Sequence, residues 1–189
     1  MSKVIGLTGY AGSGKSTVAK YLEERHGFVR IAFAAPLKTM LWTLDPILGT
    51  DVTGKDVRLS NLSRWSENDI KGSEFGPEYR RLMQVLGTEC VRAEQDDFWT
   101  QAAARRTDAP GTNYVFDDVR FPNEAQFILD RSPFGLWNVK RPMVGAANAH
   151  VSEQHAGSMG EVFTVINAGG IEPLHAKIDA ALALMEARS

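Results

Sequence analysis

Val4-Ile5-Gly6-Leu7-Thr8-Gly9-Tyr10-Ala11-Gly12-Ser13-Gly14-Lys15-Ser16-Thr17 passes from a β-prone apolar run, through a glycine-rich turn, into a helical pattern. Gly9, Gly14, Lys15 and Ser16 satisfy G-x-x-x-x-G-K-[ST], the loop in which glycines let main-chain N–H groups close around phosphate oxygens. A strand over Lys3 to Leu7 and a helix over Ser16 to His26 supply the context that this motif requires. A helix starting near Gly14 adds its positive end to the cradle, Lys15 reaches the β- and γ-phosphates, and the Ser16 hydroxyl suits Mg²⁺. The stretch Gly9, Ala11, Gly12, Ser13, Gly14, Lys15, Ser16 and Thr17 is therefore the candidate site for a nucleoside triphosphate.

Working outward, the chain alternates strand and helix. Gly27 follows His26 where a left-handed helix cap would sit, and Phe28 to Ala34 reads as a buried strand interrupted at Arg30. Pro36 fits the first turn of a helix carrying Leu37, Met40, Leu41 and Leu44. Residues 45–77, with four glycines among polar residues, read as an irregular insert. Helices follow over Glu78 to Ala93, from Asp96 or Asp97 to Arg106, and, after a strand at Tyr114 to Asp118, over Pro122 to Arg131. Leu136 to Val139 and Phe163 to Asn167 read as two more strands, and Ile171 to Ala187 as a closing helix. This rhythm predicts one three-layer α/β domain over residues 1–189, with a mainly parallel five-stranded sheet, helices on both faces and the phosphate site at the strands' carboxyl edge.

Asp117 and Asp118 end the central strand, where phosphate-loop enzymes place a carboxylate that helps hold Mg²⁺. Asp118 is the stronger candidate, although it also precedes a helix and suits an N-cap. The polar span 140–161, opening with Lys140 and Arg141, suits a lid whose cations close over phosphates. His150, Glu153 and His155 lie within it, but H-x-x-E-x-H does not put both imidazoles one helical turn apart, which disfavours zinc.

A formal net charge of −2 gives no general attraction to a nucleic acid polymer or an anionic membrane. Cys90 is the single cysteine, so no internal disulfide forms and a reducing compartment is compatible. No apolar run approaches the roughly 18 residues of a membrane span and no basic-then-apolar leader opens the chain, so a cytoplasmic protein is expected. The sequence leaves a homodimer open.

Asp118-Val119-Arg120-Phe121-Pro122-Asn123-Glu124, Arg81-Leu82-Met83-Gln84-Val85-Leu86-Gly87-Thr88-Glu89 before it, and His150-Val151-Ser152-Glu153 and Ile166-Asn167 after it resemble the deoxynucleoside monophosphate kinases of tailed bacteriophages. The resemblance runs from the phosphate loop to the C-terminus and is weakest over 45–77. It implies a nucleoside monophosphate kinase fold with an acceptor-binding insert, ATP as donor, Mg²⁺ as cofactor, and γ-phosphoryl transfer to a deoxynucleoside 5′-monophosphate in a host cytoplasm. On that footing Lys15, Asp118, Arg120 and Arg141 are the candidate catalytic residues, with Ser16 and Asp118 at the metal. Phe33, Lys38, Trp65, Arg81, Gln84, Arg92 and Arg120 are candidates for the acceptor. A kinase for another small acceptor, such as dephospho-coenzyme A or adenylate, and a nucleotide-driven switch or ATPase share the loop and remain open.

Overall fold

The computed structural model describes residues 2–145, 155 and 157–188. Five parallel strands form one sheet in the order β2-β5-β1-β6-β7: β1 Val4–Thr8, β2 Val29–Ile31, β5 Tyr114–Phe116, β6 Leu136–Lys140 and β7 Phe163–Ile166. The phosphate-loop strand is thus central. Its unbroken burial over Val4–Thr8 matches a strand covered on both faces.

Alternation along β1 assigns the two faces. Ile5 and Leu7 join Val115, Val139 and Val165 under helices α1 (Lys15–His26) and α7 (Ile171–Arg188), which contribute Val18, Leu22, Leu174, Ile178 and Met185. Gly6 faces the other way, toward helix α6 (Pro122–Arg131); a Cβ there would lie 2.6 Å from Ile128 Cγ1. The missing side chain lets α6 lie close against the sheet. Gly27, at φ 66°, ends α1 by donating its N–H to Leu22 O, as the left-handed cap requires.

The chain divides into two compact units, residues 1–33 with 100–189, and residues 34–99. The second contains the segment expected to be irregular, and it is ordered. Helix α2 (Ala35–Leu44) leads to an antiparallel pair, β3 (Ile47–Thr50) and β4 (Asp56–Arg58), then a 3₁₀ turn over Leu59–Leu62 and helices α3 (Glu67–Gly72) and α4 (Gly76–Gln84). Its own core gathers Leu41, Leu48, Leu59, Leu62, Ile70, Phe75 and Tyr79. No long period runs through this stretch, because each element is short and adds only one or two apolar residues.

The helix expected over Glu78 to Ala93 changes hydrogen-bond register at Val85 and continues as a π-helix over Val85–Arg92. Two contacts accompany the change. Gly87 O accepts the Trp99 indole N–H at 3.1 Å, and Leu37 Cδ2 lies 2.7 Å from where a Gly87 Cβ would be. Helix α5 (Phe98–Arg106) follows. Among the described residues no helix is long and apolar enough to cross a membrane.

Candidate phosphate-binding site

The site is built within the first unit, where β1 turns into α1. Gly9, Gly12 and Gly14 have φ of 129°, 79° and 106°, which are unfavourable for any residue with a side chain. Two of them are also hemmed in. A Cβ on Gly9 would lie 2.3 Å from Val139 O, and one on Gly14 would lie 2.5 Å from Asn167 Nδ2, whereas Gly12 has nothing within 4 Å. The loop is therefore shaped from outside as well as by its own conformation. Asn167, just past β7, donates through Nδ2 to Ser13 O at 3.0 Å, and its main-chain N–H donates to Lys140 O at 2.7 Å.

Gly14 caps α1 without a side-chain hydrogen bond, and no acidic residue occupies the first turn. The helix thus presents main-chain donors and the positive end of its dipole to the loop. Lys15 Nζ donates to Gly9 O at 2.6 Å and Tyr10 O at 2.9 Å, so the ammonium lies across the loop. Ser13 is buried, while Ala11, Gly12, Ser16 and Thr17 are exposed along the rim. Such an arrangement of donors and one point charge recognises a chain of phosphates.

The carboxylate that reaches Ser16 is Asp117, not the expected Asp118: Ser16 Oγ donates to Asp117 Oδ2 at 3.2 Å. Strand parity explains the difference. Val115 faces α1, so Asp117, two residues on, faces α1 as well, while Asp118 turns to the other side and accepts the Phe33 main-chain N–H at 2.9 Å. The hydroxyl and the Asp117 carboxylate are hard oxygen donors side by side, and this pair fits Mg²⁺. Among the described residues there is no cluster of three or more His, Cys, Asp or Glu suited to a metal. Asp117 Oδ2 also receives Arg30 Nη2 from β2, a residue that reads in the sequence only as an interruption of an apolar strand.

Of the remaining candidates in this unit, Arg120 is half-buried at the start of α6. Glu124, 4% exposed, accepts the main-chain N–H groups of Arg120 at 2.8 Å and Phe121 at 3.2 Å, fixing the backbone from which Arg120 projects. Phe33 is no platform for an acceptor base. It is 2% exposed, stacked on Phe116 at 4.5 Å and edge-on to Phe127 at 5.5 Å. Arg141 is exposed beyond β6. Residues 146–154 and 156 of the expected lid, His150 and Glu153 among them, lie outside the described residues. At its far end Glu161 accepts the buried Thr8 hydroxyl and the Gly157 N–H, both at 2.8 Å, and the Met159 N–H at 3.0 Å. This carboxylate ties the segment's return to the last residue of β1. The sequence holds no signal for it beyond a lone acidic residue before a strand.

Lys38, Trp65, Arg81, Gln84 and Arg92 all belong to the second unit. Lys38 Nζ pairs with Glu67 at 2.6 Å, and Lys71 pairs with the same carboxylate at 2.5 Å. Burial pushes the Glu67 carboxyl up, but the two lysines outweigh it and hold the group below its ordinary value. Trp65 is 43% exposed and Gln84 half-buried, while Arg81 forms a two-pronged pair with Glu78, 2.7 Å in each contact. Arg92 is buried and donates to the Asp96 carbonyl at 3.0 Å and carboxylate at 3.2 Å, so it is occupied in holding its own segment.

Known proteins give four further findings. A curated relative from Acanthamoeba polyphaga mimivirus, named "Putative deoxynucleotide monophosphate kinase", is 29% identical, with 93% of each chain covered. A gluconokinase from Sinorhizobium meliloti 1021 superposes with a TM-score of 0.47 at 16% identity over 98% of this chain and 94% of that one. TT1252 from Thermus thermophilus gives 0.42 at 20% identity over 97% of each. Residues 5–131, which include the loop, Asp117 and α6, match the family model described as an AAA domain, and the chain belongs to that family.

Proposed function

We propose that this chain is a deoxynucleoside monophosphate kinase that transfers the γ-phosphoryl group of ATP to a deoxynucleoside 5′-monophosphate, giving the diphosphate and ADP. The observation that carries the reading is the adjacency of the phosphate loop to the Ser16–Asp117 pair. The acceptor class rests on the mimivirus relative, whose name states that substrate and whose match extends over nearly the whole of both chains, and on the D-V-R-F-P-N-E resemblance at 118–124.

Phosphoryl transfer asks the protein mainly for alignment and for charge to balance the transferring group. The loop amides and Lys15 bind the β- and γ-phosphates; on arrival of a phosphate the Lys15 ammonium exchanges its carbonyl partners for anionic oxygens. Ser16 and Asp117 would hold Mg²⁺, which when bound supplies charge neutralisation between the phosphates. Arg120, on the backbone that Glu124 fixes, contacts the acceptor phosphate or the transferring group, where its planar fork pairs with two oxygens at once. Arg141 is contributed by the segment after β6. Lys38, Trp65, Arg81 and Gln84 are the acceptor-side candidates of the second unit. Supply of deoxynucleotides for viral DNA synthesis is the setting that accords with this reading.

Two variants test the roles. Lys15→Ala removes the donor-side charge and is expected to abolish ATP binding and turnover together. Arg120→Ala is expected to lower kcat by about 10-fold or more, the scale of one charge-assisted contact, with ATP affinity nearly unchanged. Equal losses of ATP affinity and kcat in Arg120→Ala would contradict its assignment.

A further inference from the structure

Asp117 Oδ2 is claimed twice. It accepts the Ser16 hydroxyl, and it is also in contact with Arg30 Nη2. The side chains differ in freedom: Asp117 is 11% exposed and Arg30 37%. A carboxylate so enclosed needs a counter-charge, and the guanidinium supplies it. Arg30 stands opposite Val115 in the β2–β5 register, on an edge strand of the sheet, so it shares the α1 face with Asp117 while its outer side stays open to solvent.

We propose that Arg30 is a resident counter-cation for the metal-side carboxylate: it holds Asp117 Oδ2 and must release that oxygen before it can serve a divalent cation. Arg30 is therefore a positioning residue that sets the affinity of this site for metal. The inference rests on the functional reading above only in taking Ser16 and Asp117 as the metal side. Two cations on one oxygen repel, and an arginine cannot relieve the conflict by losing its proton, so the guanidinium has to swing away. Its half-exposed place on an edge strand makes that movement feasible. A divalent cation arriving with a nucleotide brings the phosphate oxygens that complete its coordination, whereas a bare cation must displace Arg30 without them. The arrangement thus discriminates in favour of metal already bound to nucleotide.

A purely structural strut would behave in the opposite way. If Arg30 only braced Asp117, its removal would let the carboxylate wander and weaken metal binding; as a competitor, its removal strengthens it. The test is a titration of the full chain with Mn²⁺ in the presence of ADP, followed by electron paramagnetic resonance of the free ion. Arg30→Gln is expected to bind Mn²⁺ about five-fold more tightly than the parent, the scale of losing one nearby cation at a partly screened site. Asp117→Asn in the Arg30→Gln background is expected to erase the gain. Unchanged or weaker Mn²⁺ binding in folded Arg30→Gln overturns the proposal. A second measurement needs no variant: the ¹⁵N resonance of Arg30 Nε in the parent protein is expected to shift when Mg²⁺ is added to the ADP complex, and a resonance that stays in place overturns it equally. Neither readout involves an acceptor, so failure of the kinase reading would appear separately, as absent turnover with every deoxynucleoside monophosphate.

Discussion

Substituting Gly9 by alanine probes whether the phosphate loop is moulded by the strand beside it. Gly9 has a φ of 129°, and an added Cβ would lie 2.3 Å from Val139 O and 2.9 Å from Ser13 Oγ. A residue with a side chain in such a backbone region costs about 1–3 kcal/mol. The carbonyl belongs to β6, which is paired on both sides, so it cannot yield the roughly 1 Å needed to restore ordinary contact. Overpacking of that kind adds about 1–3 kcal/mol, which brings the expected loss to about 2–6 kcal/mol. Gly12→Ala is the control: φ there is 79° and nothing lies within 4 Å, so only the left-handed penalty of about 1–2 kcal/mol applies. Urea unfolding followed by circular dichroism gives both stabilities, and calorimetric titration gives ATP affinity. Gly9→Ala is expected to be the less stable of the two, or to keep its stability by displacing the loop and losing ATP binding. If Gly9→Ala matches Gly12→Ala in stability and binds ATP like the parent, the external moulding of the loop is refuted.

Phe33→Ala is expected to destabilise the fold by about 3–5 kcal/mol, because it empties a buried aromatic cluster. A large rise in acceptor KM at unchanged stability would restore Phe33 to the acceptor site. Glu67 makes stability depend on acid. Its folded carboxyl lies below the ordinary value because Lys38 and Lys71 outweigh the effect of burial, so its contribution is present above the ordinary glutamate range of the unfolded chain and is lost as pH falls through the lower folded value. Glu67→Gln is accordingly expected to flatten the acid limb of a Tm-against-pH curve, and an unchanged limb would contradict the pairing.

The central strand, the phosphate loop and α1 were legible because three signals coincide over 4–26: an apolar run, glycines at fixed offsets, and a helical period closed by Gly27. The βα rhythm likewise gave the five strands of the sheet and helices on both faces. That Asp117 rather than Asp118 meets Ser16 follows from the parity of Val115, but parity can be used only once the strand's α1 face is known. Phe33 shows a limit of another kind, because an aromatic residue at a strand's end looks the same to the sequence whether it stacks on a ligand or on Phe116. Arg30 and Asn167 were missed as site residues because each acts across the sheet on a residue far away in the chain. The second unit was obscured by its short elements and by the register change at Val85–Arg92, which departs from the 3.6-residue period.

A kinase passes the phosphate held by the loop to a second nucleotide. ATP labelled at its γ-phosphate, incubated with the full chain, Mg²⁺ and each deoxynucleoside 5′-monophosphate in turn, tests it directly by chromatography of the products. Label is expected in the deoxynucleoside diphosphate for at least one base, in equal amount to the ADP formed and absent from the Lys15→Ala variant. Label released only as inorganic phosphate, at a rate indifferent to every monophosphate in folded protein that binds ATP, would contradict the kinase reading.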